Sequence, residues 1–88
     1  MSTLYTLTPD WTATNRFEVV ANSEVLICNT CAYDVRWSRT ADTSVPLAPP
    51  AVSSILRPGD SLSLPLEAGQ YIWLAALPFG TAVIEDFT

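Results

Sequence analysis

Cys28-Asn29-Thr30-Cys31 is the one spacing in this chain that invites chemistry. Two thiols three positions apart can share a metal ion or cycle between dithiol and disulfide. A structural zinc site takes four ligands, and with no histidine and no further cysteine only carboxylates remain to complete one. Thioredoxin-type exchange needs the pair at the start of a helix, where the dipole lowers the thiol pKa, whereas here the pair closes an apolar β-branched run. The expectation is that Cys28 is a small buried apolar side chain and that Cys31 sits in the turn after it. Acid–base work at neutral pH draws first on histidine, which is absent. Asp10, Glu18, Glu24, Asp34, Asp42, Asp60, Glu67, Glu85 and Asp86 fall in turns or at outward strand positions, and no serine, threonine or cysteine has a base beside it. The residue types predict a non-enzyme with no catalytic residues, no metal and no cofactor.

Such residues would have to be positioned by a very small body. Eighty-eight residues make one domain, and a globule of this size buries only about 60% of the surface its unfolded chain exposes. Hydrophobic residues make up 49% and charged residues 15%, the latter well below the roughly 25% usual in soluble domains. Part of the apolar surface is therefore expected to meet another chain, and three Trp, three Tyr and three Phe suit such a contact. Four scattered arginines against nine acids give a formal charge of -5. That balance repels phosphate backbones and sets nucleic acid aside as a partner. The longest apolar run, Tyr71 to Leu77, is too short to cross a bilayer, and the N-terminus lacks the basic and apolar parts of a signal peptide. A chain made and kept in the cytosol, or carried out inside an assembly, with no membrane partner, is expected.

The pattern from residue 61 onward is period two. Ser61-Leu62-Ser63-Leu64-Pro65-Leu66, Tyr71 to Ala76 and Thr81 to Phe87 alternate or run apolar, separated by Gly69 and by Leu77-Pro78-Phe79-Gly80. Earlier strands are predicted at Leu4 to Leu7, at Arg16 to Val20, at Glu24 to Asn29, from Tyr33 to Ser38 and at Ala51 to Leu56. Ala21-Asn22-Ser23 reads as a hairpin turn, and Arg57-Pro58-Gly59-Asp60 as a type II turn. In Val25-Leu26-Ile27-Cys28 both faces are apolar, as in a strand covered on each side or lying at a subunit contact. Tyr33, Val35 and Trp37 share one parity and are assigned to the core, as is Trp73. The fold class is all-β: a single small antiparallel β-sandwich or jelly-roll-like barrel of seven or eight short strands. Residues 1–12 form an N-terminal arm or edge strand, and residues 13–88 the sandwich, with a proline-rich loop at 40–50.

Leu4-Tyr5-Thr6-Leu7-Thr8-Pro9-Asp10-Trp11, a strand ending Cys28-Asn29-Thr30, Asp34-Val35-Arg36-Trp37-Ser38, the turn Leu56-Arg57-Pro58-Gly59-Asp60-Ser61, and Gly69-Gln70-Tyr71-Ile72-Trp73-Leu74-Ala75-Ala76 together span nearly the whole chain. This pattern resembles the small β-sandwich virion proteins of tailed bacteriophages. The resemblance implies a non-catalytic structural protein, made in the host cytoplasm and carried on the virion. Its first form is a capsid decoration or cement protein docking on the major capsid protein or another virion protein, as a monomer, dimer or trimer. A tail, baseplate or fibre-hub component is the alternative, and a carbohydrate- or receptor-binding module a second one. The docking elements expected on this view are the arm, with Leu4, Tyr5, Leu7 and Trp11, and the loop, with Val45 and Leu47. Tyr5 and Trp11 are the expected anchors, and removal of the first eleven residues is expected to leave the sandwich folded.

Overall fold

Leu62, Leu64 and Leu66 turn one face of their strand inward, and the same two-residue rhythm builds both layers of the computed structural model, which describes residues 2–86. The eight strands are β1 (Ser2–Leu7), β2 (Arg16–Glu18), β3 (Ser23–Asn29), β4 (Val35–Thr40), β5 (Ser54–Leu56), β6 (Ser61–Leu66), β7 (Tyr71–Ala76) and β8 (Gly80–Asp86). Short 3-10 turns occupy Ala13–Asn15 and Pro50–Val52. No described helix is long and apolar enough to cross a membrane.

Two four-stranded antiparallel sheets pack face to face, ordered β1-β8-β3-β6 and β2-β7-β4-β5. This is the strand order of a jelly roll. Among the connections only β4 to β5 joins neighbours in one sheet; every other one carries the chain from one layer to the other. Ala21-Asn22-Ser23 is accordingly not a hairpin turn, because β2 and β3 belong to opposite sheets. A residue pattern reports a reversal of direction but not which layer receives the chain. The Pro58-Gly59 corner is as expected for type II: Gly59 has φ +80° and the Asp60 amide donates to the Arg57 carbonyl at 3.0 Å.

Between the sheets lie Tyr5, Leu7, Val25, Ile27, Val35, Leu56, Leu66, Ile72, Leu74, Ala82 and Ile84, with Phe17, Trp37, Leu62 and Leu64 packed around them. Of the two forms expected for residues 1–12, arm or edge strand, residues 2–7 take the second: they pair with β8 along their whole length at the border of the first sheet, and Tyr5 and Leu7, expected to dock on a partner, are buried in the core. A segment that supplies two core side chains cannot leave without opening the interior. Within the chain the Val25 to Cys28 run is covered on one face, and Leu26 and Cys28 point outward and stay half-exposed; of the two settings expected for it, this removes cover on each side within the sandwich and not the subunit contact. The final strand extends to Asp86, and Phe87, expected at its end, lies outside the described residues.

Asn29 closes one end of the sandwich. Its side chain is buried, and Nδ2 donates to the carbonyls of Tyr33 and Leu56, both at 2.8 Å, while Oδ1 accepts from the Cys31 amide at 2.9 Å. One amide thus ties β3 to β5 of the other sheet, with its hydrogen-bonding groups matched inside a low-dielectric end.

Candidate docking surfaces

The Cys28/Cys31 pair is split by the pleat. Cys28 lies on the outer face of the first sheet and is half-buried where a buried side chain was expected, while Cys31 lies in the turn that follows, as expected, and is half-buried against the core. Cys31 Sγ lies 3.1 Å from Asn29 Oδ1 and 3.3 Å from the Tyr33 carbonyl, so its S–H has acceptors within the protein. Both thiols are free. Among the described residues no three His, Cys, Asp or Glu side chains come together as a metal site, and no pocket is enclosed. The features that remain are surfaces.

The first surface is the outer face of the β1-β8-β3-β6 sheet. Pairing register sets Leu4, Val83 and Cys28 in one row across three strands, with Leu26 in the next row beside Glu85. Leu4 is 66% exposed, and Leu26, Cys28 and Val83 are partly so. The charged residues at outward strand positions on this face are Glu24 and Glu85, accepting hydrogen bonds from Ser63 Oγ and Ser2 Oγ respectively. Those serines fix the carboxylates at the border of the apolar row.

The second surface is built on the opposite sheet, whose outer face is largely roofed by the 41–53 segment. Trp73 and Ala75 point away from the main core, yet Trp73 is only 2% exposed and Ala75 not at all. Trp11 Nε1 donates to the Ala48 carbonyl at 2.9 Å, an Arg36 guanidinium nitrogen reaches the Ala51 carbonyl at 3.4 Å, and Pro50 is buried. Below that roof Trp73 Nε1 donates to Thr40 Oγ1 at 2.9 Å, and the Arg16 guanidinium lies 5.3 Å from the Trp73 ring and 5.0 Å from that of Tyr71. Cation–π contacts of this kind hold an arginine flat against a sheet. The proline-rich stretch is therefore a folded cover, and its Val45, Leu47 and Val52 are exposed, as is Ile55 of β5.

The third surface is an end of the sandwich. Tyr33 lies in the turn before β4 and not within a strand, so it is exposed where its parity with Val35 assigned it to the core. Its ring meets Phe79 edge to face with centroids 5.3 Å apart, and Phe79 is 60% exposed beside Leu77.

The predicted docking residues divide accordingly. Leu4, Val45 and Leu47 are exposed; Trp11 is half-buried and serves to anchor the cover; Tyr5 and Leu7 are core. Burial holds the Tyr5 hydroxyl above the ordinary phenol pKa. The sequence reading passed over Leu26, Val83, Val52, Ile55 and Phe79. An apolar signal on both faces of residues 25–28 did point to Leu26, whereas nothing local marks Val52 or Phe79 as exposed. Comparison with family models, with curated proteins and with solved structures gives no match to this chain.

Proposed function

We propose that this chain is a non-catalytic structural subunit of a tailed-phage virion, of the capsid decoration or cement type, docking on the major capsid protein or another virion protein. The observation that carries this reading is the presence of aliphatic surfaces on opposite sides of one small jelly roll: Leu4 with Leu26, Cys28 and Val83 on one, Val45, Leu47, Val52 and Ile55 on the other. Apolar area left in water forgoes about 25 cal/mol per Å². A body of 88 residues with two such surfaces is suited to contacts on both sides, which is what a part wedged between neighbours needs. Support also comes from the fold by analogy, since jelly rolls serve as viral shell domains. A tail, baseplate or fibre-hub position would use the same surfaces elsewhere in the particle.

Composition of the particle is the test. Virions banded on a density gradient carry the chain at a fixed copy number, read by quantitative mass spectrometry, and antibody labelling puts it on the shell. Banded particles that lack it overturn the virion reading, and label confined to the tail transfers the role there.

The exposed Tyr33–Phe79 pair favours a second reading, a carbohydrate- or receptor-binding module, because aromatic rings at loop tips are available to stack on sugars. Glycan-array binding that disappears in Phe79→Ala supports it. An array without signal removes it.

A further inference from the structure

We propose that the free edge of β1 pairs with the same edge of a second copy, antiparallel and centred on Leu4, so that two chains continue one sheet as a closed dimer. This goes beyond the virion reading and does not depend on it.

Of the four sheet edges, three are blunted. β2 and β5 are only three residues long, and β6 carries Pro65. Short strands and proline are the devices that keep an edge from recruiting another strand. β1 has neither, and no charged residue: Ser2–Leu7 runs for six residues in unbroken register with β8. Among the described residues its backbone hydrogen-bonds to no segment but β8, and the 3-10 turn Ala13–Asn15 packs beside it without such a bond.

The bonding phase of the sheet identifies the open groups. Each residue of an antiparallel strand turns its amide and carbonyl toward the same neighbour, and successive residues alternate. The Thr81 carbonyl accepts from the Thr30 amide at 3.3 Å, on the β3 side of β8. Ala82 and Ile84 therefore bond to Tyr5 and Thr3, their register partners on β1. Ser2, Leu4 and Thr6 are left with amides and carbonyls directed out of the sheet, and all three residues are exposed. The same phase turns the nitrogen of Pro65 to the outside of β6, where it has no hydrogen to donate.

That spacing selects a second copy as the occupant. With Leu4 opposite Leu4 in an antiparallel pair, Ser2 falls opposite Thr6, and each of these pairs exchanges two bonds, about six in all. Sliding the register by two residues leaves Ser2 or Thr6 without a strand partner. The apolar row of Leu4, Val83 and Cys28 then runs on into its two-fold-related copy across the Leu4–Leu4 contact, and no charge on either β1 opposes another. A two-fold contact uses the same patch on both copies, and each copy has one unblunted edge, so assembly stops at the dimer.

Sedimentation velocity of the isolated chain tests this with Leu4→Lys and Leu4→Glu, both at a position 66% exposed. Wild type at about 100 μM sediments as a dimer and nothing larger. Each variant alone is monomeric with unchanged circular dichroism, because residue 4 then faces its own charge. An equimolar mixture of the two variants recovers the dimer, since lysine now faces glutamate. Amide hydrogen exchange supplies a second readout: the Thr6 amide exchanges several-fold more slowly in wild type than in either variant, while that of Ser63, at the edge of β6, is the same in all three. A wild type that sediments as a monomer overturns the proposal and leaves the β1 edge to a strand of another protein. Variants that remain dimeric overturn it by removing β1 from the contact, and a mixture that stays monomeric overturns it by removing the register centred on Leu4. The measurement needs no virion, so a failed self-contact and a failed virion location are read separately.

Discussion

Gly80 and Cys31 touch so closely that no side chain fits between them: a Cβ placed on residue 80 would lie 2.5 Å from Cys31 Sγ and 3.2 Å from the Ala76 Cβ. The glycine is required here by the approach of a turn to the first residue of β8. Gly80→Ala is expected to lower stability by about 1–3 kcal/mol through overpacking. Urea unfolding of Gly80→Ala, Cys31→Ala and the double variant checks it. The second substitution should recover part of the loss, because removing Sγ leaves the 3.2 Å contact as the closest.

Asn29 allows a sharper test, because its amide serves partners in both sheets. Asn29→Ala leaves buried carbonyls without a donor, at roughly 1–3 kcal/mol for each orphaned group. Asn29→Asp keeps the acceptor for the Cys31 amide but turns the donor into an acceptor facing two carbonyls. Burial and those carbonyls favour the protonated acid, so its folded pKa lies above the unfolded value of about 3.9. The variant is then nearest to wild type below that pH and loses ground as pH rises through the folded pKa. Denaturation midpoints at pH 3.5 and pH 7, compared with wild type at each, supply the measurement; a penalty independent of pH counts against this account.

Tyr5 carries a pH dependence at the other extreme. Its hydroxyl is held above the ordinary phenol value by burial. The unfolded chain therefore gives up this proton before the folded one does, so the associated stability is complete below about pH 10 and declines as pH rises beyond it. A spectrophotometric titration at alkaline pH should contain a late phenolate step that coincides with unfolding. Tyr5→Phe removes that step.

Deleting residues 1–11 is expected to prevent folding, contrary to the expectation from sequence. The deletion takes Tyr5 and Leu7 out of the core and exposes β8 as a new edge. Burying a large apolar side chain contributes about 1.5–3 kcal/mol, a large share of the total in a domain this small. Loss of dispersed amide signals in the NMR spectrum of the truncated chain is the expected result, and a dispersed spectrum refutes it.

The cover over Trp73 should loosen when its anchor is cut. Trp11→Phe removes the donor to the Ala48 carbonyl while keeping most of the ring. A cost of about 1 kcal/mol is expected. Limited proteolysis within 41–49 should accelerate several-fold while the sheets stay intact.

Local rules made much of this legible. Ser61–Leu66 alternates in the sequence and in burial because neighbouring side chains on a strand must face opposite ways. The corner at Gly59 follows from one residue able to adopt φ +80°. Parity misled at Tyr33, where the strand had not yet begun, and at Cys28, where an apolar residue lies on an outer face. For Trp73 it said only that both faces of β7 are apolar; which segment covers the second face depends on Trp11, Arg36 and Pro50, brought in from other parts of the chain.

By itself the sequence determined that the chain forms short strands, which side of most strands is apolar, and where the corners fall, because each of these depends on contacts between residues adjacent along the backbone. Tertiary structure decided the layer each strand joins, made residues 2–7 an edge strand that feeds Tyr5 and Leu7 into the core where an arm was the other possibility, and laid the proline-rich stretch over Trp73. Those outcomes rest on pairings such as Trp11 with Ala48, 37 positions apart, and Ser2 with Glu85, 83 apart. Partners so distant along the chain meet only when the whole molecule packs, and the two faces offered to a neighbour exist only once it has.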